Sequence, residues 1–545
     1  MIQRPAALAF AILCGCFTQA QSDYSNFQQQ SARINAITKS NPQVASVKSI
    51  AKTAGGKDVW MITLGSGKTD SKPAIAVIGG VQGNHLLGTE LALGFAEQMI
   101  QSAGTDSIKK LLESTTWYVF PNISPDAMEQ YFSKLKYERL GNATSTDDDR
   151  DGRTGEDEFD DLDGNGKINW LRIESPLGTY IPHPDDARAL IKADLNKGEK
   201  GKYLLIPEGT DNDKDGEFNE DGDGGVAINK NLSFRHPSFT KGSGEFAVSE
   251  IESRALLDAL YNNINIYALV SFGPENNLSS PIAFNAAAAT QRLVAGYLEP
   301  DSKVNAIVSE LYNKITAMKD APKNAGTGGD LLSWGYYHYG RFSFSTPGWF
   351  VPKAKADTTK KEKALSVDDP VANYLRFAGQ QGITNSFAEW KPVQHPDFPG
   401  QKVELGGIDP FVLVNPPYKL VPEIIKKHNS FLVSLAGLQP SIDILNLKTE
   451  KVNGGLTRIT ATIANKGILP ANSALGEKNY WLKRVNVKLE TSGNQSVISG
   501  KKSQLINNLE GQGSQQLTWL VKGSGSVTLE AGSPTAGIKR QEIKL

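Results

Sequence analysis

The chain has 545 residues, 39% of them hydrophobic, and a formal net charge of −1. That length exceeds one ordinary hydrophobic core, so two or three domains are expected. Near-neutrality argues against nucleic acid or an anionic membrane as the main partner.

Residues 1–20 read as an export signal. Arg4 supplies the positive end, residues 6–17 form a short apolar run, and Thr18-Gln19-Ala20 precedes a polar stretch, as signal-peptidase cleavage requires. The run is too short to span a bilayer, and no other stretch is long and apolar enough to do so. Both cysteines, Cys14 and Cys16, lie inside it, so removing it leaves a chain without thiols. Leu13-Cys14-Gly15-Cys16 also resembles a bacterial lipobox, which would leave the protein lipid-anchored at Cys16. The expected location is accordingly periplasmic, extracellular or at the outer membrane.

From residue 24 to 435 strand-like and helix-like stretches alternate. Strands are expected at 59–64, 74–78, 116–121, 266–272 and 342–345. Helices are expected at 86–100, 108–113, 249–261, 300–318, 370–379 and 422–435. This rhythm predicts an α/β domain over 21–439, a mixed, mainly parallel sheet sandwiched by helices. The buried strand 74–78 runs into a glycine-rich turn, Gly79-Gly80-Val81-Gln82-Gly83-Asn84-His85. The end of such a strand is where chemistry sits in an open α/β sheet. Lysine-rich 353–363 reads as a surface loop. Beyond Pro440 the rhythm changes to short alternating strands with Gly and Asn turns, which predicts a β-sandwich over 440–545 acting as a packing module.

Residues 146–225 are acidic, glycine-rich and too long for an ordinary loop. Asp147, Asp149 and Asp151 alternate before Gly152, with Glu158 at the twelfth position, which is the full calcium-loop spacing. Alternate side-chain oxygens point inward, the glycine permits the sharp turn, and the last Glu chelates with both oxygens. Asp161, Asp163 and Asn165 before Gly166 repeat the start, with Arg172 at the twelfth position. Asp211, Asp213 and Asp215 before Gly216 form a third copy, with Gly222 at the twelfth position and Glu220, Asp221 and Asp223 nearby to compensate. Three copies predict structural calcium that staples the insertion. Without a cation, charge this dense repels itself.

Several short anchors resemble the zinc carboxypeptidase family. They are the stretch from Ser49 to Lys57, the turn from Gly79 to Glu90, Pro121-Asn122-Ile123-Ser124-Pro125-Asp126-Ala127, the stretch from Gly225 to Asn231, and residues 334–349. The tail, with Trp390-Lys391-Pro392 and Asn415-Pro416-Pro417, resembles a bacterial branch carrying an appended β-sandwich. The resemblance implies a His-x-x-Glu pair and a later His on zinc, a fourth position open for water, and a Glu that moves the water's proton. Carried over position by position, the first His is Gln82, the Glu is His85, the second His is Gly273, and the catalytic Glu is Pro347. An amide, one imidazole, a glycine and a proline supply neither a Lewis acid nor a base by this route. The ancestral zinc is therefore expected to be absent.

The resemblance also implies substrate-holding roles for Asn229 and for Lys230, which keeps the family arginine's charge but not its fork. The family's closing Tyr falls near Asn324, while Tyr336 and Tyr337 are expected to pack in the core. The leading expectation is an exported, non-catalytic protein that binds a peptide, a cell-wall fragment or a partner protein. Two alternatives stand beside it: an active zinc carboxypeptidase with an unusual site around His85, joined by His338 with Glu389 or Glu275, and a structural or adhesive surface protein.

Overall fold

The computed structural model describes residues 21, 23–148, 150, 152–219, 222, 224–318, 321–356, 363–507 and 509–545. Residues 1–20, with Cys14 and Cys16, and the acidic residues Asp149, Asp151, Glu220, Asp221 and Asp223 lie outside the described residues. Among the described residues no helix is long and apolar enough to cross a membrane.

The chain begins with helix α1 (Phe27–Ser40), the hairpin β1 (Ala45–Lys52) and β2 (Asp58–Leu64), then β3 (Ala74–Ile78), α2 (Leu86–Gln101), α3 (Asp106–Ser114), β4 (Thr116–Phe120) and the one-turn α4 (Pro125–Met128). Four strands follow inside the acidic region: β5 (Trp170–Glu174), β6 (Tyr180–His183), β7 (Asp186–Lys192) and β8 (Tyr203–Pro207). The main layer resumes with α5 (Ile251–Asn262), β9 (Ile266–Phe272), the short α6 (Ala286–Ala289), α7 (Glu299–Thr316), α8 (Leu331–Tyr337) and β10 (Phe342–Thr346). It ends with α9 (Pro370–Gln380), β11 (Phe387–Val393), β12 (Val403–Ile408) and α10 (Val421–Ala436).

The first sheet runs β1-β2-β4-β3-β9-β10, antiparallel at the β1–β2–β4 side and parallel across β4, β3, β9 and β10. Successive side chains on a strand face opposite sides, and both sides are apolar here. Ile75 and Val77 of β3 pack with Leu87 and Leu91 of α2, Val308 of α7 and Phe431 of α10. Ala74, Ala76 and Ile78 pack with Leu256 and Leu260 of α5 and Trp334 of α8. The expected mixed sheet between helical layers is thus observed.

A second sheet was not foreseen from the sequence. It is antiparallel, in the order β11-β12-β5-β8-β6-β7, and joins the acidic insertion to a hairpin some two hundred residues later. Val403 pairs with Ile173 and Leu405 with Leu171, and these four side chains form the sheet's own small core. Residues 146–225 are therefore not loops alone. Glu389, which sits in a segment imitating a catalytic strand, lies exposed on β11.

Strands β13 (Ile442–Val452), β14 (Leu456–Asn465), β15 (Val485–Glu490), β16 (Ser496–Ser499), β17 (Ser503–Ile506), β18 (Ser514–Lys522), β19 (Ser526–Ser533) and β20 (Gly537–Lys544) make two antiparallel sheets of four. Ile459, Ile463, Val487, Leu489, Trp519 and Leu529 meet between them. The sandwich docks on the α/β domain through Asp301 of α7, which is 3% exposed. Its carboxyl group accepts from the backbone of Ala474 at 2.7 Å and Leu475 at 3.0 Å, and from the Tyr336 hydroxyl at 2.9 Å. Trp481 stacks on Tyr339 at 5.2 Å, with the buried Arg341 guanidinium 4.7 Å over its ring. Asp301→Ala leaves three donors without their acceptor. It is expected to destabilise the protein by about 2 kcal/mol, read as a shifted urea midpoint, while Asp301→Asn, which keeps one acceptor, costs less.

Candidate functional site

Parallel strands β3, β9 and β10 are neighbours, with Ile78 opposite Ser271 and Phe272 opposite Thr346. Their carboxyl ends therefore share one edge of the sheet. Gln82 follows β3, Gly273 follows β9 and Pro347 follows β10, so the structure gathers these positions where chemistry is expected. The turn after β3 must be glycine. A Cβ on Gly79 would stand 2.4 Å from the Gly88 carbonyl oxygen, and Gly80 holds φ +57° against Asn122.

His85 precedes α2 and is 4% exposed. Its Nε2 lies 2.9 Å from the Pro347 carbonyl, so the two family positions are bonded to each other. Burial lowers the imidazole pKa to about 4, and the Pro347 and Phe272 carbonyls offset this only in part. The ring is neutral at physiological pH and donates to a backbone oxygen. Gln82 donates to Asn84 Oδ1 at 2.8 Å, Asn84 donates to Glu138 at 2.8 Å, and Glu138 accepts from the Phe411 backbone at 2.7 Å. The amide is thereby held at the lip of the cleft.

Asn229 and Lys230 occupy a short 3₁₀ turn, Ile228–Lys230. Both ends of the Asn229 amide are engaged, Nδ2 with Glu275 Oε1 at 2.8 Å and Oδ1 with the Leu331 backbone N–H at 3.0 Å. Lys230 is exposed, its Nζ 3.3 Å from the Lys241 carbonyl. Val81, Gln82, Asn229, Lys230, Glu275 and Asp330 line a common cleft of about 330 Å³. Asp330 caps α8 and accepts from the backbone of Gly328 and Ser333 and from the Ser333 hydroxyl. Asn324 donates to the Pro274 carbonyl at 3.0 Å. Tyr336 is buried with its hydroxyl on Asp301, and Tyr337 stacks on Phe234, so neither stands over the cleft as a closing phenol.

From the sequence, Glu275 is a candidate only as a metal partner of His85 and His338. It is 4% exposed, and its Oε2 has no hydrogen-bond partner. Burial, reinforced by Asp330, raises its carboxyl pKa to about 8, against a smaller opposing effect of Asn229. A sequence signal existed, an acid three residues beyond the carboxyl end of a central strand. His338 does not meet His85, since its Nδ1 pairs with the Ser233 hydroxyl at 2.9 Å and its ring lies against Phe234.

This donor set does not fit the family's zinc. Tetrahedral zinc needs three protein ligands and an open position. Gln82 offers a neutral amide, Gly273 offers no side chain, and His85 offers a single imidazole, its Nε2 on a carbonyl and its buried Nδ1 unpaired, which is fewer than the three ligands zinc needs.

The acidic region brings its carboxylates together in two places. Oxygens of Asp161, Asp163 and Glu208 lie within 4.8 Å of one another, as do those of Asp211, Asp213 and Asp215. Glu208, at the end of β8, is fully buried and accepts from the backbone of Leu162 and Asn169, each at 2.8 Å. Burial raises its pKa to about 7, opposed by those two donors and reinforced by Asp163 and Asp161. It supplies the third carboxylate where spacing offered only Arg172, and no local pattern pointed to it from 45 residues away in sequence. Asn165 turns to Asn169 at 3.0 Å. In the first loop Asp147 accepts from Gly152 at 3.0 Å, and Glu158 is exposed. Its neighbour Asp157 is the buried acid, bonded to the backbone of Asn212 and Asn219 in the third loop.

Residues 31–278 match the family model for zinc carboxypeptidase, and residues 441–544 match a model described as a domain of unknown function. Carboxypeptidase E of Caenorhabditis elegans is 29% identical over 111 residues, covering 19% of this chain and 24% of that protein. Carboxypeptidase D of Drosophila melanogaster is 28% identical over 120 residues, covering 21% of this chain and 8% of that protein. The aligned stretch thus spans at most about a quarter of either relative. Among solved structures, the carboxypeptidase A of Helicoverpa armigera superposes with a TM-score of 0.38 at 13% identity, covering 76% of this chain and 74% of its own. Over residues 31–278, therefore, this chain is similar to the zinc carboxypeptidase family.

Proposed function

We propose that this chain is an exported, non-catalytic member of its family whose cleft binds peptides, including the peptide part of cell-wall fragments, with calcium holding the acidic insertion. The observation that carries the reading is the bond between His85 and the Pro347 carbonyl. It joins a metal-ligand position and the catalytic-base position into a neutral structural contact. Gln82 and Gly273 leave the remaining two positions without a Lewis acid's ligands. The cleft keeps features that suit a peptide, namely the Lys230 ammonium for a terminal carboxylate and the polar edges of Gln82 and Asn229. Calcium fits the oxygen-only clusters of Asp161, Asp163 and Glu208 and of Asp211, Asp213 and Asp215, and the sequence spacing of Asp147, Asp149 and Asp151 suits it as well.

The test is equilibrium dialysis of the purified protein, in calcium buffer with equimolar zinc, against a randomised pool of N-acetylated tripeptides with free carboxyl ends. The expected result is an enriched subset of intact peptides and substoichiometric zinc in the protein. Stoichiometric zinc with peptides shortened from the carboxyl end would overturn the proposal, and so would a pool left unenriched.

A further inference from the structure

Glu275 is a buried acid with half of its hydrogen-bonding capacity unused. Oε1 accepts from Asn229, while Oε2 has no partner. Buried polar atoms in folded proteins are nearly always paired, so an exception asks for a role. Its surroundings explain why it is not an ion pair. Among the described residues lining the cleft, the charged groups are Asp330, on the amino end of α8, and Lys230, whose Nζ reaches the Lys241 carbonyl instead. A carboxylate there would lack a counter-charge and would face Asp330. The neutral acid is preferred, and a neutral acid carries a proton that no protein oxygen accepts.

Gly273 places no side chain over that oxygen. A Cβ at residue 273 would stand 3.4 Å from Glu275 Oε2 and 3.4 Å from the Val81 Cβ. A side chain extending from it would cover the acid. The bare glycine therefore does more than remove a ligand, since it puts no side chain between the carboxyl group and Val81.

We propose that Glu275 is the hydrogen-bond donor of the cleft, giving its proton to an amide carbonyl oxygen of a bound peptide at the floor beside Gly273 and Val81. This rests on the peptide-binding reading above and assigns its recognition atom. A protein donor thus takes a place at the strand ends from which a metal would have polarised a carbonyl, without driving chemistry. Lys230, at the outer wall, meets the peptide's terminal carboxylate.

The experiment uses the full chain and the same N-acetylated tripeptide pool, with affinities of the retained peptides measured from pH 6 to pH 9. Wild-type binding is expected to weaken about tenfold across that range, because ionisation replaces a donor by a repelling carboxylate; a lost contact of this kind corresponds to roughly that factor. Glu275→Gln, which keeps an acceptor for Asn229 and an N–H for the ligand, is expected to bind with a flat pH profile. Glu275→Leu and Gly273→Ala are expected to bind at least about tenfold more weakly. Lys230→Met weakens binding yet keeps the pH slope, which separates the two groups. If Glu275→Leu fails to fold, the Glu275→Gln profile and Gly273→Ala decide. A wild-type profile that is flat, or one unchanged by Glu275→Gln, overturns the role of Glu275 while leaving peptide binding intact. A wild-type protein that retains no peptide overturns the underlying reading instead.

Discussion

Stripping calcium with EGTA at pH 8 is expected to lower the melting temperature and open residues 147–222 to proteolysis, with full recovery on adding calcium back. Three carboxylates within 4.8 Å repel unless a cation sits among them, and the chain has two such clusters among its described residues. A site held at about a thousandfold its dissociation constant contributes roughly 4 kcal/mol. The pH dependence carries its own sign. Glu208 has a folded pKa raised to about 7, so without metal its contribution is fully present below about 4.5, the unfolded value, and is lost as pH rises through 7. Calcium needs the ionised form, so its stabilising effect grows over the same window. The EGTA effect should therefore be small at pH 5 and large at pH 8. Glu208→Gln, which still accepts from Leu162 and Asn169, should remove much of the calcium increment. Identical melting with and without calcium at pH 8 would show that the clusters hold no cation.

Replacing Arg33 by Ala is expected to destabilise the α/β domain by about 3–5 kcal/mol, because it strands a buried carboxylate. Glu90 of α2 is 1% exposed and meets Arg33 Nη1 at 2.6 Å. The same guanidinium grips Glu97 with two nitrogens, at 2.7 and 2.8 Å. These bonds to Glu97 and Glu90 raise the arginine pKa despite the opposing effect of its own burial. Lysine cannot reproduce the fork, so Arg33→Lys should rescue little. Arg33→Ala combined with Glu90→Gln should recover part of the loss, since the orphaned charge is gone. The measurement is a urea midpoint followed by fluorescence. An unchanged midpoint for Arg33→Ala would show that Glu90 finds compensation elsewhere. The consequence reaches the cleft, because α2 starts at Leu86, directly after His85.

Legibility in the sequence followed burial. Strands β3 and β9 begin and end where their apolar runs do, because both faces of a parallel strand are covered and every residue along the two runs except Ser271 is apolar. Four of the eight sandwich strands, β14, β15, β18 and β19, were readable because inward and outward residues alternate along them. Helix α1 was not, since its apolar face is thin: among its hydrophobic residues Ile34 and Ile37 are the buried ones, and an arginine does the docking. The second sheet escaped because its hydrogen bonds join β5 to β12 across two hundred residues, and no local pattern records such a pairing.

By itself the chain determined which residue types stand at the strand ends. Amide, imidazole, glycine and proline at 82, 85, 273 and 347 are facts of covalent sequence, as is the acidic spacing of the three loops. Only the tertiary structure decided what those residues touch. It turned His85 onto the Pro347 carbonyl, delivered Glu208 to Asp161 and Asp163, and buried Glu275 beside a bare glycine. The physical reason is that donor chemistry belongs to a side chain alone, whereas ionisation and pairing depend on the dielectric and on neighbours supplied by distant segments.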